Sequence, residues 1–153
     1  MTVVVGVDSS AAAAEALRFA LDEARLRGVG LRVLHAWQLP ILPIAEDPFL
    51  EGALFETPPI DAVELRRLVQ SQLDAIVASV DSHGVELESS LVEGTAAEVL
   101  VEASAGAELL VVGSRGHGGF SGLLLGSVSH ACAQHAHCPV AIVRGGAEAA
   151  PAT

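Results

Sequence analysis

A chain of 153 residues, 51% hydrophobic and 18% charged, has the length of one domain and ample apolar material for a core. Its formal charge of −11 repels polyanions and sets nucleic acid aside as a partner. No run approaches the about 20 apolar residues of a membrane span, the start Met1-Thr2-Val3-Val4-Val5 lacks a basic leader, and two cysteines are too few for a disulfide framework, so a reducing, cytoplasmic setting without membrane contact is expected.

Thr2 to Val7 is a β-branched run expected to form a first strand ending at Asp8, its continuous apolar character suited to a parallel strand covered on both faces. Ser9 or Ser10 then caps a helix through about Arg27, with Ala16, Leu17, Ala20, Leu21 and Ala24 inward and Glu15, Arg18, Asp22 and Arg25 outward. Gly28 and Gly30 stop it. Leu31 to Trp37 reads as the second strand, and the unit has the length of a right-handed crossover.

Between Gln38 and Pro59 periodicity is lost and five prolines, Pro40, Pro43, Pro48, Pro58 and Pro59, break the chain, which predicts a long connection anchored by Phe49 and Phe55. Helical spacing returns from Asp61 to about His83, with Leu65, Val69, Leu73, Ile76 and Val80 inward and Gly84 as the stop. Leu87 to Val92 is a third strand. Thr95 and Glu98 form a capping-box pattern for a short helix to about Ala105, and Glu108 to Gly113 is the fourth strand. A helix from about Ser127 to Gln134 and a strand from Pro139 to Val143 close the order, and 145–153 is expected to be a disordered tail.

Alternating strands and helices predict a single-domain α/β fold, an open twisted five-stranded parallel sheet with helices on both faces, spanning 1–144. In such sheets ligands lie beyond the carboxyl ends of strands, where the winding reverses. That directs attention to Asp8, Ala36 and Gly113.

Between Val112 and Ser129 the chain carries six glycines, Gly113, Gly116, Gly118, Gly119, Gly122 and Gly126. Glycines let a backbone curl close to a ligand, and turned amides plus the free N–H groups at the start of the next helix, near Ser127 and Val128, suit a polyphosphate. A flexible surface loop is the plain alternative. The chain contains no lysine, so a Walker A loop and Schiff-base chemistry are both excluded. Phosphate must be met by backbone amides or by Arg115, the one cation of the loop, whose alternative is solvent exposure.

The pattern Gly113-x-x-Gly116, nine residues, then Gly126-Ser127, following a strand, resembles the nucleotide-binding signature of the universal stress protein family in its ATP-binding branch. Val4 to Ser10 resembles that family's first strand, and Cys138 to Val143 its closing one. The resemblance implies an adenine nucleotide alpha hydrolase-like sheet of order 3-2-1-4-5 that binds ATP with Mg2+. Gly6, Val7 and Asp8 would then lie at the adenosine side, Ala36 would offer backbone contacts to adenine, and Val112, Gly113, Gly116, Gly126, Ser127 and Val128 would surround ribose and phosphates. It also implies a homodimer paired through Val140 to Val143 at the sheet edge. Asp8 and Ser127 each have a second reading, as caps of the helices that follow them.

His130, His135, His137, Cys132 and Cys138 do not place three ligands on one helical face, so no metal site is expected; Cys138 reads as a small buried hydrophobe, and His117, in reach of a phosphate from the loop, reads first as solvated. Neither a paired carboxylate nor a His–Asp pair is legible beside the loop, so efficient catalysis is not expected. The expected function is an ATP-dependent regulatory or sensor module in stress adaptation. The alternatives are a slow ATPase or autophosphorylating enzyme, with Ser114 or Ser121 as acceptor, and a nucleotide-free structural dimer.

Overall fold

The computed structural model describes residues 1–39, 61–115 and 125–145. Along them the order is β1 (Thr2–Gly6), α1 (Ala11–Arg27), β2 (Gly30–Trp37), α2 (Ala62–Ala78), β3 (Leu87–Glu93), α3 (Ala96–Ala103), β4 (Leu109–Gly113), α4 (Ser127–His135) and β5 (Val140–Val143). The five strands form one parallel sheet in the order β3-β2-β1-β4-β5. The chain therefore winds outward from β1 to β3, crosses back, and continues from β4 to β5. The winding reverses between β1 and β4.

Both sheet faces are covered at the centre, which is why β1 and β4 read as unbroken apolar runs, whereas the edge strand β3 is partly polar and exposed. On one face Val3, Val5, Leu31, Val33, Leu109 and Val111 meet Ala13, Ala16, Leu17, Ala20, Leu21 and Ala24 of α1 and Leu73 of α2. The alanine stripe of α1 brings its backbone close to the central strands. On the other face Val4, Leu34, Leu110 and Val112 meet Val99 and Leu100 of α3 and Cys132 of α4. Gly6 is a glycine because α3 sits on it: a Cβ there would lie 2.5 Å from Leu100 Cδ1.

Several boundaries differ from the sequence reading. The first strand stops at Gly6 rather than Asp8, because the chain turns as soon as Asp8 engages Ser10. Helix α2 ends at Ala78, not near His83. There the Ser79 hydroxyl donates to the Ile76 carbonyl at 2.6 Å, and Gly84, with φ +77°, belongs to the turn that follows. Helix α3 likewise ends at Ala103, where the buried Ser104 hydroxyl donates to Val101 O at 2.6 Å and accepts from His137 N–H at 2.9 Å. The expected left-handed stop at Gly28 is present, with φ 68°. The Pro-rich connection beyond Leu39, and the tail beyond Gly145, lie outside the described residues.

Candidate functional site

The reversal of winding places the carboxyl end of β1 beside that of β4, so the residues after Gly6 and after Gly113 face one crevice. Val7 is held there by its N–H, which donates to the Leu34 carbonyl at 2.9 Å. Asp8 follows, half-buried, and its Oδ1 accepts from the Ser10 N–H at 2.8 Å and from the Ser10 hydroxyl. Ser10 is the residue at the N-cap of α1, yet with its hydroxyl turned to Asp8 it makes no side-chain cap bond. Asp8 thus orients the cap residue without capping the helix itself.

The second wall is the start of α4. Gly126, not Ser127, occupies its N-cap, and no side chain caps it. Ser127 is the first helical residue and is exposed. In contrast, α2 and α3 are capped by the Asp61 carboxylate and the Thr95 hydroxyl, which accept from Val63 N–H at 2.9 Å and Glu98 N–H at 3.4 Å. Among the described helices, the two that begin at the reversal point are therefore the two whose N-cap residues make no side-chain cap bond, and the positive end of the α4 dipole lies at that point.

The ends of the glycine-rich loop are clamped together. The Ser114 carbonyl accepts from Gly126 N–H at 2.7 Å and from the Ser129 hydroxyl at 3.0 Å, while Ser114 N–H donates to Val143 O at 2.8 Å. Ser129 is 1% exposed and shares its hydroxyl with Gly126 O at 3.1 Å. This fixes where the loop leaves β4 and where it enters α4. Gly116 and the rest of 116–124, including His117 and Ser121, lie outside the described residues.

Three of the expected contact residues belong to one apolar core cluster: Val112 is buried in it under α3 and α4, and the half-buried Ala36 and Val128 pack against it, together with Val92, the β3 partner of Ala36. A Cβ on Gly113 would stand 3.6 Å from Arg115 O and 3.7 Å from Ala12 Cβ, ordinary contact distances. Packing among the described residues does not require a glycine there. Arg115 is exposed at the edge of the crevice.

Two features were not legible in the sequence. Ser129 was one serine among several, and its role depends on meeting Ser114, which is fifteen residues earlier. His35 lies next to Ala36 and is half-buried, and burial pushes its imidazole below its usual value, opposed by the Asp8 carboxylate. Elsewhere, the described residues contain no group of three His, Cys, Asp or Glu able to hold a metal. Burial raises both the Cys132 and the Cys138 thiols, which keeps them neutral and apolar. A shallow open cleft between α1 and the end of α2, lined by Arg18, Asp22, Arg25, Ser79 and Asp81, lies away from the crevice, and its arginines are paired with Glu15 and Asp22.

Residues 1–144 match the model of the universal stress protein family. A universal stress protein of Mycobacterium tuberculosis (strain H37Rv) is 36% identical over 142 residues, covering 92% of this chain and 46% of that protein. The chain spans about half the length of the curated relatives it matches. A universal stress protein solved in complex with cAMP is 26% identical with a TM-score of 0.61, over 95% of this chain and 98% of that one. The universal stress protein from Archaeoglobus fulgidus solved in complex with dAMP is 27% identical with a TM-score of 0.58, over 94% and 97%. Among the described residues no helix is long and apolar enough to cross a membrane. The sheet order, the signature glycines and the match along the chain agree: this chain belongs to the universal stress protein family.

Proposed function

We propose that the chain is a nucleotide-binding regulatory module that holds ATP in the crevice between β1 and β4. The observation that carries this reading is the start of α4, whose N-cap Gly126 has no side chain to cap it, at the winding reversal beside the end of β1. Anionic phosphate would meet the α4 amides of Ser127 and Val128 and the loop through Gly116, with Arg115 at the rim. The base would lie on Ala36, Val112 and Val128, and Asp8, with Gly6 and Val7 forming the strand end beneath it, would accept from the ribose. The cAMP and dAMP complexes of two family members support an adenine nucleotide.

Mg2+ would arrive on the phosphates and keep most of its own water, since no cage of acidic ligands occurs among the described residues. In this reading Asp8 would serve the adenosine end and not act as a base for the terminal phosphate. The reading is therefore of occupancy that a partner reads, in stress adaptation and in the cytoplasm, rather than of rapid turnover.

Calorimetric titration of nucleotide-stripped protein with Mg-ATP tests it. Saturable binding is expected, lost in Gly126→Glu, which sets a carboxylate against the α4 amides. An absence of heat at high micromolar ATP, or undiminished binding in the variant, would overturn it.

A further inference from the structure

Ser114 is tied into two structures at once. Its N–H donates to Val143 O at 2.8 Å, the last rung between β4 and β5, one residue past the Gly113–Val143 pair that ends their register. Its carbonyl accepts from Gly126 N–H at 2.7 Å and from the buried Ser129 hydroxyl at 3.0 Å, both at the start of α4. The chain leaving β5 lies against α1 as well: a Cβ on Gly145 would stand 3.4 Å from Ala12 Cβ, and one on Gly113 3.7 Å from the same atom. The α4 wall of the crevice and the end of the outermost strand therefore share one residue.

Among the described residues β5 has a neighbouring strand on one side only, and so has β3. These two edges differ in chemistry. Glu88, Ser89, Ser90 and Glu93 make β3 a polar edge, whereas β5 is Val140-Ala141-Ile142-Val143, without a charge or a proline to deter pairing. An apolar edge of this kind is complementary to its own copy across a two-fold axis. A strand of four residues frays from its ends, so a pairing strand meets the full length of β5 only while the Ser114–Val143 rung is closed.

We propose that Ser114 couples nucleotide occupancy to the pairing of β5 with a second copy of this chain, each strengthening the other. The proposal rests on the nucleotide reading above and deepens it by naming the strand at which occupancy is read. Phosphate on the Ser127 and Val128 amides fixes the start of α4. Through the two bonds to the Ser114 carbonyl that fixes Ser114, and through the Ser114 N–H it holds Val143 and keeps β5 extended to its end. The second copy then meets a strand that is already ordered, and association loses less conformational entropy. By linkage, pairing at β5 raises nucleotide affinity by the same factor.

Two measurements on the full chain test this. A dilution series followed by sedimentation gives the dimer dissociation constant with and without saturating Mg-ATP, while calorimetry on the same sample reports whether Mg-ATP binds. The constant is expected to fall about fivefold or more on binding, the scale of a site-to-site coupling, and the fall should largely vanish in Ser129→Ala once its site is filled. The second measurement is amide hydrogen exchange, which needs no variant to be decisive: bound Mg-ATP should slow exchange of the Ser114 N–H. Bound Mg-ATP with an unchanged dissociation constant, or with unchanged Ser114 exchange, overturns the coupling and leaves the nucleotide reading standing. A chain that stays monomeric with Mg-ATP bound overturns the proposal through its pairing step. Absence of heat with Mg-ATP brings down the nucleotide reading itself, and the coupling with it.

Discussion

Gly6 and Gly113 end neighbouring strands, yet they are glycines for different reasons. At Gly6 a Cβ would stand 2.5 Å from Leu100 Cδ1, and Leu100, 4% exposed in the core, would have to shift. Gly6→Val is therefore expected to lower stability by about 1–3 kcal/mol, the usual cost of overpacking, read as a fall in the urea midpoint. Gly113→Ala meets only ordinary contacts, so the urea midpoint should hold while Mg-ATP affinity drops. The sequence put Gly113 at a strand end and Gly6 inside a strand running to Asp8, and only the packed sheet separates a steric glycine from one in ordinary contact. His35 was hidden for a similar reason, since its burial follows from the packing of the folded sheet and not from its place in the sequence. Because burial lowers its pKa, the unfolded chain takes up this proton more readily than the folded one. This group's contribution to stability is thus complete above about pH 6.5 and is lost as pH falls below it. His35→Gln should remove that part of the slope in urea titrations between pH 7.5 and 5.5.

At the scale of elements, periodicity located every strand and helix among the described residues, while helix ends were set by single side chains. Gly84 looked like the stop of α2, but the Ser79 hydroxyl ends it first, and Val80 still reaches the core from the turn beyond. Thr95 behaves as its spacing with Glu98 implies. Ser127, in contrast, is not a cap, because Gly126 holds that position once its N–H is tied to Ser114. The clamp joining Ser114, Gly126 and Ser129 is the element that presents the α4 start to the crevice. Ser129→Ala removes a buried donor and is expected to cost about 1 kcal/mol of stability. Its larger effect should be on Mg-ATP affinity, measured by calorimetry, since the loop ends lose their fixed spacing.

For the whole molecule, the strand order implied by the family resemblance is the order found, and it leaves β5 at a sheet edge with all four residues half-buried. Pro139 O and Val143 O accept from Leu110 N–H and Ser114 N–H of the β4 side, so the alternate residues Val140 and Ile142 turn their backbone groups outward. We propose that a second copy pairs there. Light scattering should then give twice the chain mass for the wild type and a single chain mass for Ile142→Pro, which removes an outward N–H without touching the ladder to β4. A monomeric wild type would refute the pairing.

The placement of the nucleotide is tested most directly by following backbone amide NMR signals as Mg-ATP is added to the stripped protein. Shifts should concentrate at Asp8, Ala36, Gly113, Ser127 and Val128 on either side of the β1–β4 reversal. Signals that stay still there, or that move instead around Arg18, Arg25 and Asp81 in the cleft between α1 and α2, would contradict the account.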